Sequence, residues 1–188
     1  MKINRTFIAL VMVFLLAAFT TACQRNNTAG VQAAKEKEMA MSQEDRDIAT
    51  KIEEANQGEM NLAEYAKGHA VSTAVKDYAN MLTDDHTRAL RDIVDLVKDK
   101  DATVVKPAAE AETDLAKLQT LSGTSFDTEY MNMTVANHQK TLDALNTFEA
   151  SAQNKDLKDY IRNLIPTVQK HLEQAQNIQT KLMKMGTQ

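Results

Sequence analysis

The chain has 188 residues, of which 43% are hydrophobic and 26% charged, with 22 basic against 26 acidic side chains. A net charge of −4 gives nucleic acid nothing to bind, and one cysteine leaves no internal disulfide. Two prolines, five glycines and no tryptophan, in a background of Ala, Leu, Lys, Glu, Gln and Met, predict an all-α chain.

The N-terminus carries Lys2 and Arg5 and then an apolar run from Phe7 to Phe19, too short and too closely flanked for a stable membrane span. Residues 1–22 therefore read as a signal peptide. The Thr20, Thr21, Ala22, Cys23 segment that follows resembles the lipobox of bacterial lipoproteins, with Thr20 where that family usually has leucine. The resemblance implies lipidation of Cys23 and a membrane anchor. Gln24 after the cysteine, rather than aspartate, implies the outer membrane, with the chain facing the periplasm. Removing residues 1–22 leaves 20 basic and 26 acidic side chains. Residues 23–41 have no apolar face wide enough to bury and are expected to form the lipidated cysteine and a flexible tether.

A helical domain is expected over 42–188. Ser42 with Asp45 makes a capping-box pattern that opens a first helix, expected to stop at Gly68, with Ile48, Ile52, Ala55, Glu59, Leu62 and Ala66 on one stripe. A second helix runs from about Ser72 to Lys100, and its stripe includes Leu82, His86, Leu90 and Ile93, with Asp85 beside it. Pro107 lies in a break, followed by a short helix that Gly123 is expected to close in a left-handed cap. A third long helix, about Ser125 to Gln153, places His138 among Met131, Val135, Leu142 and Leu145. Residues 154–156 turn into a fourth, where His171 follows Leu157, Ile161, Leu164 and Val168, and where Pro166 should bend the axis one turn earlier. Short turns on either side of one longer crossover predict an antiparallel four-helix bundle.

Three histidines and a glutamate on four inward stripes suggest one site. Helical rise puts His138 and His171 opposite each other, equally far from the turn between their helices, and His86 at the level of His171. Glu59 is displaced by roughly 7 Å along the axis. Asp85, Asn56 and Asn137 are the reserve candidates for a fourth donor, with Asp85 favoured as the partner behind a ligand if it is not itself one. His69 beside Gly68 reads as a solvated turn residue. Met81, Met131 and Met133 read as core fillers rather than copper ligands, and Tyr65, Tyr78, Tyr130 and Tyr160 as core or core-edge residues whose hydroxyls find partners.

The segments Met81 to His86, Leu121 to Tyr130, Asn137 and His138, and Ile165 to Leu172 together resemble the domain of unknown function 4142 family of bacterial envelope proteins, over about residues 43–183. The resemblance implies a ferritin-like helical fold and an envelope location, and no established activity. Ferritin-like di-iron proteins place a glutamate three residues before each metal-binding histidine. Here those positions hold Thr83, Val135 and Val168, which removes the di-iron site.

Two compensations suit imidazoles buried together. One is a single transition metal ion, zinc, copper or iron, held by His86, His138 and His171 with Glu59 as the fourth ligand. The other is a closed hydrogen-bond network with Glu59, Asp85 or Tyr130 inside a metal-free structural or stress-response interaction module of the envelope. No separate base or nucleophile stands out beside the histidines, which argues against an enzyme. The sequence names no protein partner.

Overall fold

A computed structural model describes residues 41–97 and 105–185. The expected signal peptide, Cys23, the tether up to residue 40 and the expected last turn of the second helix lie outside those residues. Met41, expected as the tether's end, packs against the core.

The described residues form five helices and no strand: α1 (Gln43–His69), α2 (Thr73–Val97), α3 (Ala109–Leu118), α4 (Gly123–Ser151) and α5 (Lys155–Met185). No described helix is long and apolar enough to cross a membrane. α1 packs chiefly on α2, and α4 chiefly on α5. The two pairs meet where α2 touches α5 and α1 touches α4, and α3 lies across α1 and α4.

Local chemistry sets the ends. The Asp45 amide donates to Ser42 Oγ at 3.0 Å and the Ser42 amide donates back to Asp45 Oδ2 at 3.2 Å, which opens α1. The helix does not stop at Gly68. It runs to His69, and Ala70, in extended conformation, donates its amide to the Ala66 carbonyl. Glycine ends a helix by adopting positive φ, and among the described glycines only Gly123 does so, at 63°. Gly123 does not close the short helix either: α3 ends at Leu118, and Gly123 is instead the first residue of α4, two positions earlier than the sequence suggested. α5 continues without interruption through Pro166.

Two buried aspartates fasten the turns from a distance. Asp127 on α4 accepts the Val71 and Ser72 amides at 3.0 and 2.7 Å, just before α2. Asp45, beyond its capping role, accepts the Gln153 and Asn154 amides at 2.8 and 3.2 Å, between α4 and α5. Asn154 Oδ1 then accepts the Leu157 amide at 3.0 Å and starts α5. The crossover approaches α1 closely at Gly58, where a Cβ would meet Ala111 Cβ at 2.6 Å. Larger residues are excluded there.

The core has two apolar lobes. One contains Leu62, Tyr78, Leu82, Phe126, Tyr130 and Met131; the other contains Ile48, Ile52, Ile93, Leu142, Leu157 and Ile161. Burying each large side chain contributes about 1.5–3 kcal/mol. On three of the long helices the changeover falls at a polar residue, Asn56 and Glu59 between Ile52 and Leu62, His86 between Leu82 and Ile93, and His138 between Met133 and Leu142, whereas on α5 it comes just after His171, between Leu172 and Ala175.

Candidate metal centre

The polar layer between the lobes brings the three histidines together. Their ring centroids lie 5.8 Å (His86 to His138), 5.5 Å (His86 to His171) and 5.4 Å (His138 to His171) apart. All three residues are buried, and one nitrogen from each ring lies within 4.8 Å of the others. A triangle of that side has its centre about 2.8 Å from each corner, against about 2.0–2.1 Å for a zinc–imidazole bond. Ring movements of under about 1 Å close the difference.

The surroundings fix which nitrogen of each ring carries the proton. Asn56 Nδ2 donates to the Ile52 carbonyl at 2.8 Å, which turns Asn56 Oδ1 toward His86 Nδ1, also at 2.8 Å. An amide oxygen only accepts, so His86 Nδ1 is the donor. His138 Nδ1 lies 3.0 Å from the Thr134 carbonyl, and His171 Nε2 lies 2.9 Å from Asp85 Oδ2; both ring nitrogens donate. Arg88 holds the other oxygen of Asp85. The opposite nitrogens, His86 Nε2, His138 Nε2 and His171 Nδ1, are buried and have no protein hydrogen-bond partner.

Burial keeps these rings neutral. Desolvation, reinforced by His138 and His171, holds His86 well below the usual imidazole range. Desolvation and His171 lower His138 to about 4, with the Thr134 carbonyl opposing. His171 is also lowered by desolvation, with Asp85 working against the shift. Three neutral imidazoles with their protons committed outward present three bare lone pairs to one space. A metal-bound histidine is commonly held this way, by an acceptor on its far nitrogen.

Glu59, the expected fourth ligand, is not among the atoms gathered within 4.8 Å. Its axial displacement leaves it beside Asn137 and Asp114. Desolvation, with Asp114 adding repulsion, raises its pKa to about 7, while a hydrogen bond with Asn137 opposes the shift. Asn137 also donates to Asp114 at 3.0 Å. His69 is exposed at the end of α1, stacked on Tyr65 with ring centroids 3.7 Å apart and away from the cluster. Met131 and Met133 are buried in the first lobe. Tyr78 and Tyr160 donate across α2 and α5 to the carbonyls of His171 and Ala89 at 3.0 and 2.9 Å. The Tyr130 hydroxyl is buried with the Thr134 side chain as its neighbour, and Gln174 Oε1 is buried without a protein partner.

A cavity of about 240 Å³ reaches this layer from the side. Its wall includes His86, His138, Asn56 and Glu59, and otherwise mostly apolar residues of α1, α4 and α5. Sequence reasoning missed the cavity and the role of Asn56. The sequence shows that Asn56 lies beside the stripe; only the packed helices show that its amide oxygen meets a ring.

The family model for a domain of unknown function (DUF4142) matches residues 30–178. No curated protein and no solved structure matches the chain significantly.

Proposed function

The chain belongs to the DUF4142 family, and from that premise we propose that it is a metal-binding lipoprotein of the bacterial envelope. In this reading Cys23 anchors it to the outer membrane, and a ferritin-like four-helix bundle in the periplasm holds one transition metal ion through His86, His138 and His171. The bundle is supported by the closed circuit of contacts from α1 to α2, α5, α4 and back to α1, with α3 as the crossover.

The observation that carries the metal is the set of three inward nitrogens without partners, each on a ring whose other nitrogen is bonded to a fixed acceptor. An unsatisfied buried polar atom costs about 1–3 kcal/mol. Three of them amount to a large part of the roughly 5–15 kcal/mol that separates folded from unfolded domains. A divalent ion removes that cost and binds neutral imidazole at neutral pH without displacing a proton. Three nitrogen donors suit zinc, copper or mononuclear iron. Thr83, Val135 and Val168, three residues before the histidines, supply no carboxylate for a second iron.

The test is elemental analysis of the full chain, extracted in mild detergent and reconstituted with zinc, copper(II) or iron(II). One equivalent of metal per chain is expected, lost in His138→Ala. A chain that takes up no stoichiometric metal, or a His138→Ala variant that retains it, sinks the reading and leaves a metal-free structural or stress-response module.

A further inference from the structure

Three histidines leave a tetrahedral ion one position short. On the reading above, that position has a direction. His86 and His138, which carry two of the three unpartnered nitrogens, form part of the wall of the 240 Å³ cavity, whereas His171 does not. The wall beyond them is contributed by Ile52, Ala55, Leu145, Phe148 and Val168. The space is several times the roughly 30 Å³ that a water molecule takes in the liquid.

Charge selects the occupant. Three neutral imidazoles leave a divalent ion with its full double charge inside a largely apolar core, where an anion of low charge is the favoured fourth ligand. The apolar wall selects a ligand with a hydrocarbon body behind its anionic head. We propose that this cavity admits a small monoanion with an apolar tail, of the short-chain carboxylate class, whose head binds the metal and whose tail lies against Ile52, Ala55, Leu145 and Phe148. Glu59 shares the wall. At the outer edge Lys51 is the cation, set against Glu54 and Glu110.

This inference rests on the metal reading, and cobalt(II) separates the two. The full chain is loaded with cobalt(II), and its visible spectrum is followed on adding azide, acetate, butyrate and hexanoate. Saturable changes are expected with all four, and affinity should rise about fourfold for each methylene added to the carboxylate. Thr141 and Ala144 also line this space, and Ala144→Phe and, independently, Thr141→Phe fill it; both should keep the cobalt titration unchanged and weaken hexanoate at least tenfold relative to azide. If cobalt binds through the histidines but no anion alters its spectrum, the inference fails and the metal reading stands. It also fails if acetate and hexanoate bind equally, or if both filled variants bind hexanoate as the parent does. If cobalt binding is absent, or unaffected by His138→Ala, the metal reading itself fails.

Discussion

The turns and the middle of this domain treat buried polar groups in opposite ways. At the turns, Asp127 gives both carboxylate oxygens to the Val71 and Ser72 amides, and Asp45 binds Ser42, Gln153 and Asn154. In the middle, each histidine is bonded on its outer nitrogen and left without a protein partner on its inner one. Where a buried polar group closes the fold, the chain itself supplies the matching atoms. Three nitrogens left unpartnered by three different helices are the contrast on which the proposed metal reading rests.

The largest effects on stability should therefore come from the turns, with none on metal content. Asp45→Ala removes hydrogen bonds to both the start of α1 and the turn before α5, and should cost about 3–5 kcal/mol in urea unfolding. Asp127→Ala should cost about 2–4 kcal/mol by leaving two amides near α2 without their acceptor. Both variants should bind metal as the parent does under conditions where they are folded. A loss below about 1 kcal/mol for either would mean that water replaces the carboxylate and that the turns are not fastened as described.

The middle layer should dominate the response to acid. Each histidine has a folded pKa below its unfolded value of 6.5, so its contribution is complete above that pH and is lost as the pH falls toward the folded value, about 4 for His138. Glu59 has the opposite sign. Its pKa is raised from 4.5 to about 7, so the folded state gains from it as the pH falls through that window. His86 and His138 against Glu59 leave the unfolded chain taking up about one more proton, a slope of about 1.4 kcal/mol per pH unit between roughly pH 6 and 4.5, to which His171 adds in the same direction. Urea midpoints of the metal-free protein across that range measure it. A flat profile would mean that the rings take up protons without unfolding the domain, and that the layer is wetter than its burial indicates.

How much of this was legible follows from the distances involved. The stripes show in the sequence because a helix repeats every 3.6 residues, and the histidine register shows because the connecting turns are short enough to count from. The Ser42 and Asp45 pair is a local signature. The Asp127 bonds to Val71 and Ser72, 56 and 55 positions away, leave no trace in spacing, although Asp127 lies in one of the segments that carry the family resemblance. Choosing between Asn56 and Glu59 turns on three residues of rise, about 4.5 Å, less than the uncertainty in where a turn begins. The cavity is the joint product of all five described helices and belongs to no single segment.

The smallest expected effect is the sharpest test of the contrast. His138→Leu keeps a side chain of similar bulk and removes an unpartnered Nε2. The Thr134 carbonyl, which the ring also contacts, lies four residues earlier on the same helix and still receives the amide of residue 138. The metal-free variant should therefore be more stable than the parent by about 1 kcal/mol at neutral pH, while losing its metal. Its acid slope should fall by about 1.4 kcal/mol per pH unit, because the proton taken up by one histidine disappears. A residue that lowers the stability of the empty protein yet is needed for ligand is being kept for binding. If His138→Leu instead costs about 2 kcal/mol or more without metal, the ring is packing the core as Leu142 or Ile161 does, and the middle layer differs from the apolar lobes only in composition.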